Sequence, residues 1–283
     1  MSYVQAAVYD AVTKIAGRYE PYHDFTATVV PVASLQAAVA AAARTTLDHY
    51  LPDQVTTVDG WYNTYLATLA GDVADGVAVG NAAASDIIAL RAGDGRNAAT
   101  PTYGTIGPIL PGQWQLRSPS QTAQTPWVVT MRPFLLDAAW QFRAGPPPVT
   151  SHQYAKDLNE TEAYGTANSA VRTPDETAIA WFWNANAINQ YNQTMQNVVT
   201  QRGLDLVDAA HLLAMGELVT TDAGIACFDS KYFYDTVDDI QHQIPDARVW
   251  IGFHFCNSVE QSLKLGNDVA NWTLDRYFKP VHP

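Results

Sequence analysis

Residues 246–255 read Asp246-Ala247-Arg248-Val249-Trp250-Ile251-Gly252-Phe253-His254-Phe255. Arg248 and His254 are six positions apart, so on one straight helix they diverge by about 240°. They converge only if a helix begins or bends between them, and Pro245 and Gly252 are residues that allow this. By spacing alone, Arg248 is a surface charge and His254 a hydrogen-bonded core histidine. Upstream, Asp229-Ser230-Lys231-Tyr232-Phe233-Tyr234 closes a mostly apolar stretch that starts at Leu204. That stretch predicts one long helix, weakened by Gly216 and Gly224, with Lys231 on its surface.

Outward from there the apolar period is helical almost everywhere. Ser34 is an N-cap for residues 35–50, and Leu51-Pro52-Asp53 stops that helix and opens another running to about Leu69. Val73, Val77, Gly80, Ala84, Ile87 and Ile88 form one face of a helix ending at Gly93-Asp94-Gly95, and its small residues permit close packing. Ser151 caps a helix that Gly165 ends. Thr173-Pro174-Asp175-Glu176 combines a capping Thr, Pro at the first helical position and Glu three residues after the cap. It opens a helix carrying Ile179, Trp181, Phe182, Trp183 and Ile188, with the aromatic cluster serving packing. Residues 259–277 form the last helix.

Residues 95–133 lose the period, and Trp114 and Trp127 are the expected anchors of this long loop. Trp140 to Pro148 cannot be helical, because three consecutive prolines remove donors and fix φ. No repeat and no period of two is present. The expected class is all-α with long loops, a single domain over 1–283: N-terminal helices in 1–93, a loop region in 94–150 and C-terminal helices in 151–283.

The chain has 283 residues, 47% of them hydrophobic, and 16 Lys+Arg against 28 Asp+Glu give a net charge of −12. Without a basic run this excludes nucleic acid and anionic membrane surfaces as partners. No stretch has the roughly 20 apolar residues needed to span a bilayer. Two cysteines, Cys227 and Cys256, are too few for a disulfide framework. The first residues carry no basic segment followed by an apolar core and cleavage site, so no secretory signal is expected. The compartment stays open between the cytoplasm and export after removal of a leader. Three N-x-T triplets, at Asn159, Asn192 and Asn271, fall in expected helices and say nothing about export.

The segments Trp127 with Pro133-Phe134-Leu135-Leu136, Gln141-Phe142-Arg143-Ala144-Gly145-Pro146-Pro147-Pro148, Ser169-Ala170-Val171-Arg172-Thr173-Pro174, Asp229-Ser230-Lys231-Tyr232 and Ala247 to Phe255 occur in an order that resembles the bacterial vanadium-dependent haloperoxidases. These belong to the type 2 phosphatidic acid phosphatase superfamily. Ala6-Ala7-Val8-Tyr9-Asp10-Ala11-Val12 and Leu263-Lys264-Leu265-Gly266 fit as well. The resemblance implies a helical bundle of the haloperoxidase and acid phosphatase type, with an oxyanion pocket built from three motifs. A compact oxyanion calls for a Lys point charge, bidentate Arg forks and backbone N–H groups. One His ligates vanadium or attacks phosphorus, and a second handles protons.

By that resemblance Lys231 and Arg248 bind the oxyanion, and His254 is the catalytic residue and vanadium ligand. Ser258 stands where an Asp orients the histidine; it can accept a hydrogen bond from the imidazole but supplies no charge. Arg143 lies near the pocket mouth in family members, although packing of a proline-rich turn explains it equally well. Where the first motif places Arg-Pro, this chain has Asp238 and Asp239, and Pro-Ser-Gly-His is absent. The family pattern breaks between Tyr234 and Asp235, so the expected event is deletion of that segment.

Loss of the proton-transferring His removes a contribution of about 10²- to 10⁴-fold in rate. The expected function is therefore haloperoxidase-like, with vanadate as cofactor and peroxide and halide as partners, but with impaired or absent activity. A phosphatase-like hydrolase and a non-catalytic assembly module, including a homo-oligomer, are the alternatives. Asp205, Asp208, His211, Glu217 and Asp222 contain one i, i+3 Asp-His pair, short of a di-iron set, and are expected on a solvated face. His23, His49, His152, His242 and His282 are expected at the surface.

Overall fold

The computed structural model describes residues 1–30, 32–99, 125–143, 145, 147–184, 186–233, 249 and 254–281. Among them the helices are α1 (Ser2–Ala16), α2 (Leu35–Tyr50), α3 (Val55–Leu66), α4 (Val73–Leu90), α5 (His152–Gly165), α6 (Pro174–Trp183), α7 (Ala187–Arg202), α8 (Leu206–Phe233) and α9 (Cys256–Arg276). Two 3-10 turns, Pro52–Gln54 and Pro126–Thr130, complete the described regular structure, and no strand is present among the described residues. The chain is all-α.

The helix starts follow from local chemistry. Ser34, Ser151 and Thr173 each accept a hydrogen bond from a first-turn N–H, and Glu176 returns the contact to Thr173 as a full capping box. The chain divides into two units. The first comprises Met1–Gly93, Asn192–Thr221 and Thr273–Pro283, and the second Asp94–Tyr191 and Asp222–Trp272.

In the first unit α2 and α4 meet through small residues. Ala37, Ala38, Ala41 and Ala42 are fully buried on one helix, and Gly76, Val79, Gly80, Ala83, Ala84 and Ile87 are buried on the other. The buried stripe of α4 is thus rotated from the expected one: Val73, Val77 and Ile88 are only partly covered. Glycine backbone at 76 and 80 brings the α2 main chain so close that this line of contact overrides the larger valines. By length and composition α4 is apolar enough to cross a bilayer, with mean hydropathy 1.3. Its buried face here is the one that meets α2.

The chain from 273 to 281 closes the first unit. Phe278 packs against Tyr9 and His211, with centroids 5.2 and 5.9 Å apart, and the Glu20 N–H donates to the Lys279 carbonyl at 2.8 Å. Arg18 reaches Asp205 and Asp208 at 2.6 Å each, and His211 stacks on Tyr19 at 4.0 Å. These three residues are therefore engaged in side-chain contacts. His23 is more than a surface histidine: its Nδ1 lies 2.6 Å from Asp86.

Glu217 and Asp222 do not lie on a solvated face. They are 5% and 0% exposed, on the same buried stripe of α8 as Ala214, Leu218, Ile225 and Ala226. Burial holds the Glu217 carboxyl above its ordinary value, opposed by the Asn192 amide that donates to it at 3.1 Å. A raised carboxyl binds its proton more tightly in the folded chain. Its stabilisation is complete below the unfolded value of about 4.3 and is lost as pH rises through the folded value. Glu217→Gln is expected to abolish this loss, so that the urea midpoint of the variant gains on wild type between pH 4 and pH 7. A difference in midpoint that does not change with pH would refute the assignment.

In the second unit Asp222 accepts the N–H groups of Phe134, Leu135 and Leu136 at 2.6, 2.7 and 2.8 Å. All three donors belong to a buried loop. Gly95, at φ +93°, lies so close to the Thr130 backbone that a Cβ would overlap its carbonyl. The anchor expected of Trp114 falls outside the described residues, while Trp127 sits half-buried in the turn that makes this contact. The helix opened by Thr173 is shorter than expected. It ends at Trp183, and Ile188 belongs to α7. Trp181 and Phe182, expected in packing, are 65% and 64% exposed.

Candidate functional site

His254 stands two residues ahead of α9, and α5 fixes the main chain around it. Thr161 donates its hydroxyl to the His254 carbonyl at 3.0 Å, Tyr154 meets Phe255 edge-on at 5.4 Å, and Asp157 accepts the Asn257 N–H at 3.2 Å. Asp157 is fully buried and also accepts the Gln153 amide at 2.7 Å. Its carboxylate supplies at the N-terminus of α9 the acceptor that the first helical N–H groups lack. Sequence reading missed Asp157, whose partner is 100 residues away. Its one local signal is the i, i+4 spacing from Gln153.

The surroundings of this segment are acidic. The Cys256 thiol is pushed up to about 11, first by burial and then by the charges of Glu160, Glu260 and Asp157. Ser258 is 3% exposed and donates its hydroxyl to the Phe255 carbonyl at 2.9 Å. That bond ties the hydroxyl to the turn before the helix.

Arg143 donates to one carboxylate oxygen of Asp229 from Nε at 2.8 Å and from the guanidinium terminus at 2.5 Å, and both side chains are largely buried. It also lines a cavity of about 290 Å³ with Gln141, Phe142, Gln261, Lys264 and Asp268. The α9 residues of this wall, Gln261, Lys264, Leu265 and Asp268, recur at the spacing of one helix face. Lys264 pairs with Asp268 at 2.7 Å. Both cations of the cavity therefore face a carboxylate.

Lys231 lies in the last turn of α8; its side chain is outside the described residues. So are Arg248, the break between Tyr234 and Asp235, the Asp238-Asp239 pair, His242 and His282. The described structure brings together His254, Ser258 and the α5 residues Tyr154, Asp157 and Thr161. It places Arg143 on Asp229.

The fold is the all-helical one of the vanadium haloperoxidases. The chain matches a bacterial vanadium-dependent iodoperoxidase with a TM-score of 0.80 at 16% identity, over 98% of this chain and 90% of that one. It matches the apo form of a bacterial vanadium-dependent chloroperoxidase with a TM-score of 0.73 at 13% identity, over 96% and 91% of the two chains. The holo form gives 0.70 at 14% identity, over 96% and 89%. No family model and no curated protein matches the sequence. The likeness lies in the fold, with little of it in residue identity.

Proposed function

We propose that this chain is a haloperoxidase-like protein with weakened oxyanion chemistry, binding vanadate or phosphate poorly and turning over peroxide and halide slowly if at all. One observation carries the reading: Thr161 holds the His254 carbonyl ahead of α9, in a fold shared with vanadium-dependent peroxidases, and the charges acting on the nearby Cys256 are three carboxylates, Glu160, Glu260 and Asp157, against one cation, Lys156. An oxyanion of charge about −2 requires free N–H donors and cations. Arg143 is paired with Asp229, Lys264 with Asp268, and the Asn257 N–H with Asp157. These three donors, each engaged with a carboxylate, do not form a clamp for vanadate. Lys231 and Arg248 would have to hold the anion by themselves.

What this chain's residues do on that reading is positional. Thr161 holds the His254 carbonyl and Asp157 the Asn257 N–H, so the backbone from His254 into α9 is fixed against α5. Ser258, committed to the Phe255 carbonyl, adds no charge to favour an imidazolium.

Bromide-dependent bromination of monochlorodimedone with peroxide and added orthovanadate tests the proposal directly. The expected rate is far below the roughly 1–10³ s⁻¹ of ordinary enzymes, and calorimetric titration with orthovanadate is expected to give a Kd no tighter than about 1 mM. Turnover at ordinary rates would overturn the reading. Hydrolysis of p-nitrophenyl phosphate at such rates would instead establish the phosphatase alternative.

A further inference from the structure

Gly216 lies inside α8, where glycine costs roughly 1 kcal/mol against alanine, and the structure shows what the missing methyl makes room for. A Cβ at this position would overlap the Met195 Sδ of α7 and stand 3.3 Å from Cε and 3.6 Å from Cγ of the same side chain. The sulfur is thus the nearest atom, and its two carbons lie farther back. The thioether therefore turns the outside of its bend, with both lone pairs, toward the α8 main chain. Asn192, one turn earlier on the same face of α7, donates its amide to the Glu217 carboxylate at 3.1 Å. Glu217 is held in turn from α1, where the Ser2 hydroxyl donates to its carbonyl at 3.3 Å and lies 2.6 Å from Thr221 Oγ1. Residues 192–221 and α1 all belong to the first unit. A sulfur and an amide thus join this part of α7 to a helix that α1 holds in place.

We propose that Met195 is an oxidation-sensitive latch: hydrogen peroxide converts its thioether to the sulfoxide, which no longer seats against Gly216, so α7 parts from α8 over residues 192–202. A sulfur lone pair attacks one oxygen of the peroxide, the S–O bond forms and the O–O bond breaks. The hydroxide that leaves takes the proton from the transferred oxygen and becomes water. Sulfur gives up two electrons, and the peroxide gains them. The new oxygen stands where a lone pair stood, on the side facing α8, where even a Cβ has no room. It also makes the group polar, and a dipole pressed against a helix main chain loses its water. Met195 is half-buried, so peroxide reaches the sulfur when α7 opens locally, and oxidation then blocks its return. The Cys256 thiol, pushed up to about 11 first by burial and then by nearby carboxylates, stays protonated and does not compete for the oxidant. The latch needs peroxide alone, without vanadate or halide, and stands apart from the turnover proposed above.

The whole chain is exposed to millimolar hydrogen peroxide with no vanadate or halide, the peroxide is removed, and amide hydrogen exchange and peptide masses are read together. The expected result is one added oxygen on Met195 and exchange over residues 192–202 faster by about tenfold or more, with α2 and α4 exchanging as before. The two epimer-specific methionine sulfoxide reductases, added together, are expected to restore both the mass and the protection. Met195→Leu, close in volume and without an oxidisable sulfur, is expected to keep α7 protected through the same treatment. Gly216→Ala, which sets a methyl where the sulfur lies, is expected to loosen α7 with no oxidant at all. Unchanged exchange over 192–202 after treatment, with or without oxygen on Met195, overturns the proposal, and so does a Met195→Leu chain that loosens as wild type does.

Discussion

Asp222→Ala is expected to lower the unfolding free energy by about 4 kcal/mol. The carboxylate is fully buried, and three successive N–H groups, from Phe134, Leu135 and Leu136, donate to it within 2.8 Å. Hydrogen bonds to a charged acceptor contribute about 1.5–3 kcal/mol each, and a buried donor left without one loses about 1–3 kcal/mol. The three losses do not add fully, because the loop can relax and admit water into the space left by the side chain. Asp222→Asn keeps one acceptor oxygen and turns an NH₂ toward another donor, so about half the loss is expected. Urea or guanidinium midpoints measure both variants, and a cost below about 1 kcal/mol for the alanine variant would show that Asp222 does not anchor the loop.

Gly80→Val is expected to be comparably damaging, by about 3–4 kcal/mol, with Gly80→Ala at about 2. A Cβ at position 80 would meet the Ala38 carbonyl oxygen and stand 2.9 Å from both the Ala41 methyl and the Ala42 nitrogen. Two of these three are main-chain atoms of α2, so α4 itself has to move away. Alanine regains about 1 kcal/mol of helix propensity, which offsets part of the clash. Valine regains less, because its branch is stiff at χ1 and puts two further methyl groups into the same gap. Gly224 in α8 is the control. Nothing lies within 4 Å of its Cβ position, and Gly224→Ala is expected to stabilise by about 0.5–1 kcal/mol. Thermal unfolding of the three variants separates these outcomes; a destabilising Gly224→Ala together with a harmless Gly80→Ala would reverse the packing account.

The features legible in the sequence were those decided within a few residues. Ser34, Ser151 and the Thr173-Glu176 box set helix starts because their partners are three positions away. The helical period likewise announced an all-α chain. What the sequence hid depended on distant partners. Asp222 looked like one more acidic residue on a helix, and only the N–H groups of Phe134, Leu135 and Leu136, 86 to 88 residues earlier, make it an anchor. Trp181 and Phe182 were read as packing since aromatic residues are usually covered, yet the early end of α6 leaves them outside. On α4 periodicity favoured Val77 over Val79, and the glycine-lined approach of α2 chose Val79.

For the candidate site, the order of motifs pointed to His254, and the structure sets that residue in a framework supplied by α5. Asp157 was invisible because its role is fixed by one backbone N–H a hundred residues away. Arg143 was open between pocket and packing, and the structure adds a third description, a cation matched to Asp229 beside a small cavity.

The first unit is assembled from the beginning, the middle and the end of the chain. During synthesis at roughly 5–20 residues per second, about 185 residues separate Gly93 from Phe278, so some 10 to 40 s pass before the ring that packs on Tyr9 is made. The Ala- and Gly-lined pair of α2 and α4 can form early, and His211 reaches Tyr9 before the end of that interval, but the Phe278 ring that also packs on Tyr9 comes only at its close. A chaperone that binds exposed apolar surface has its longest opportunity on that side of α1.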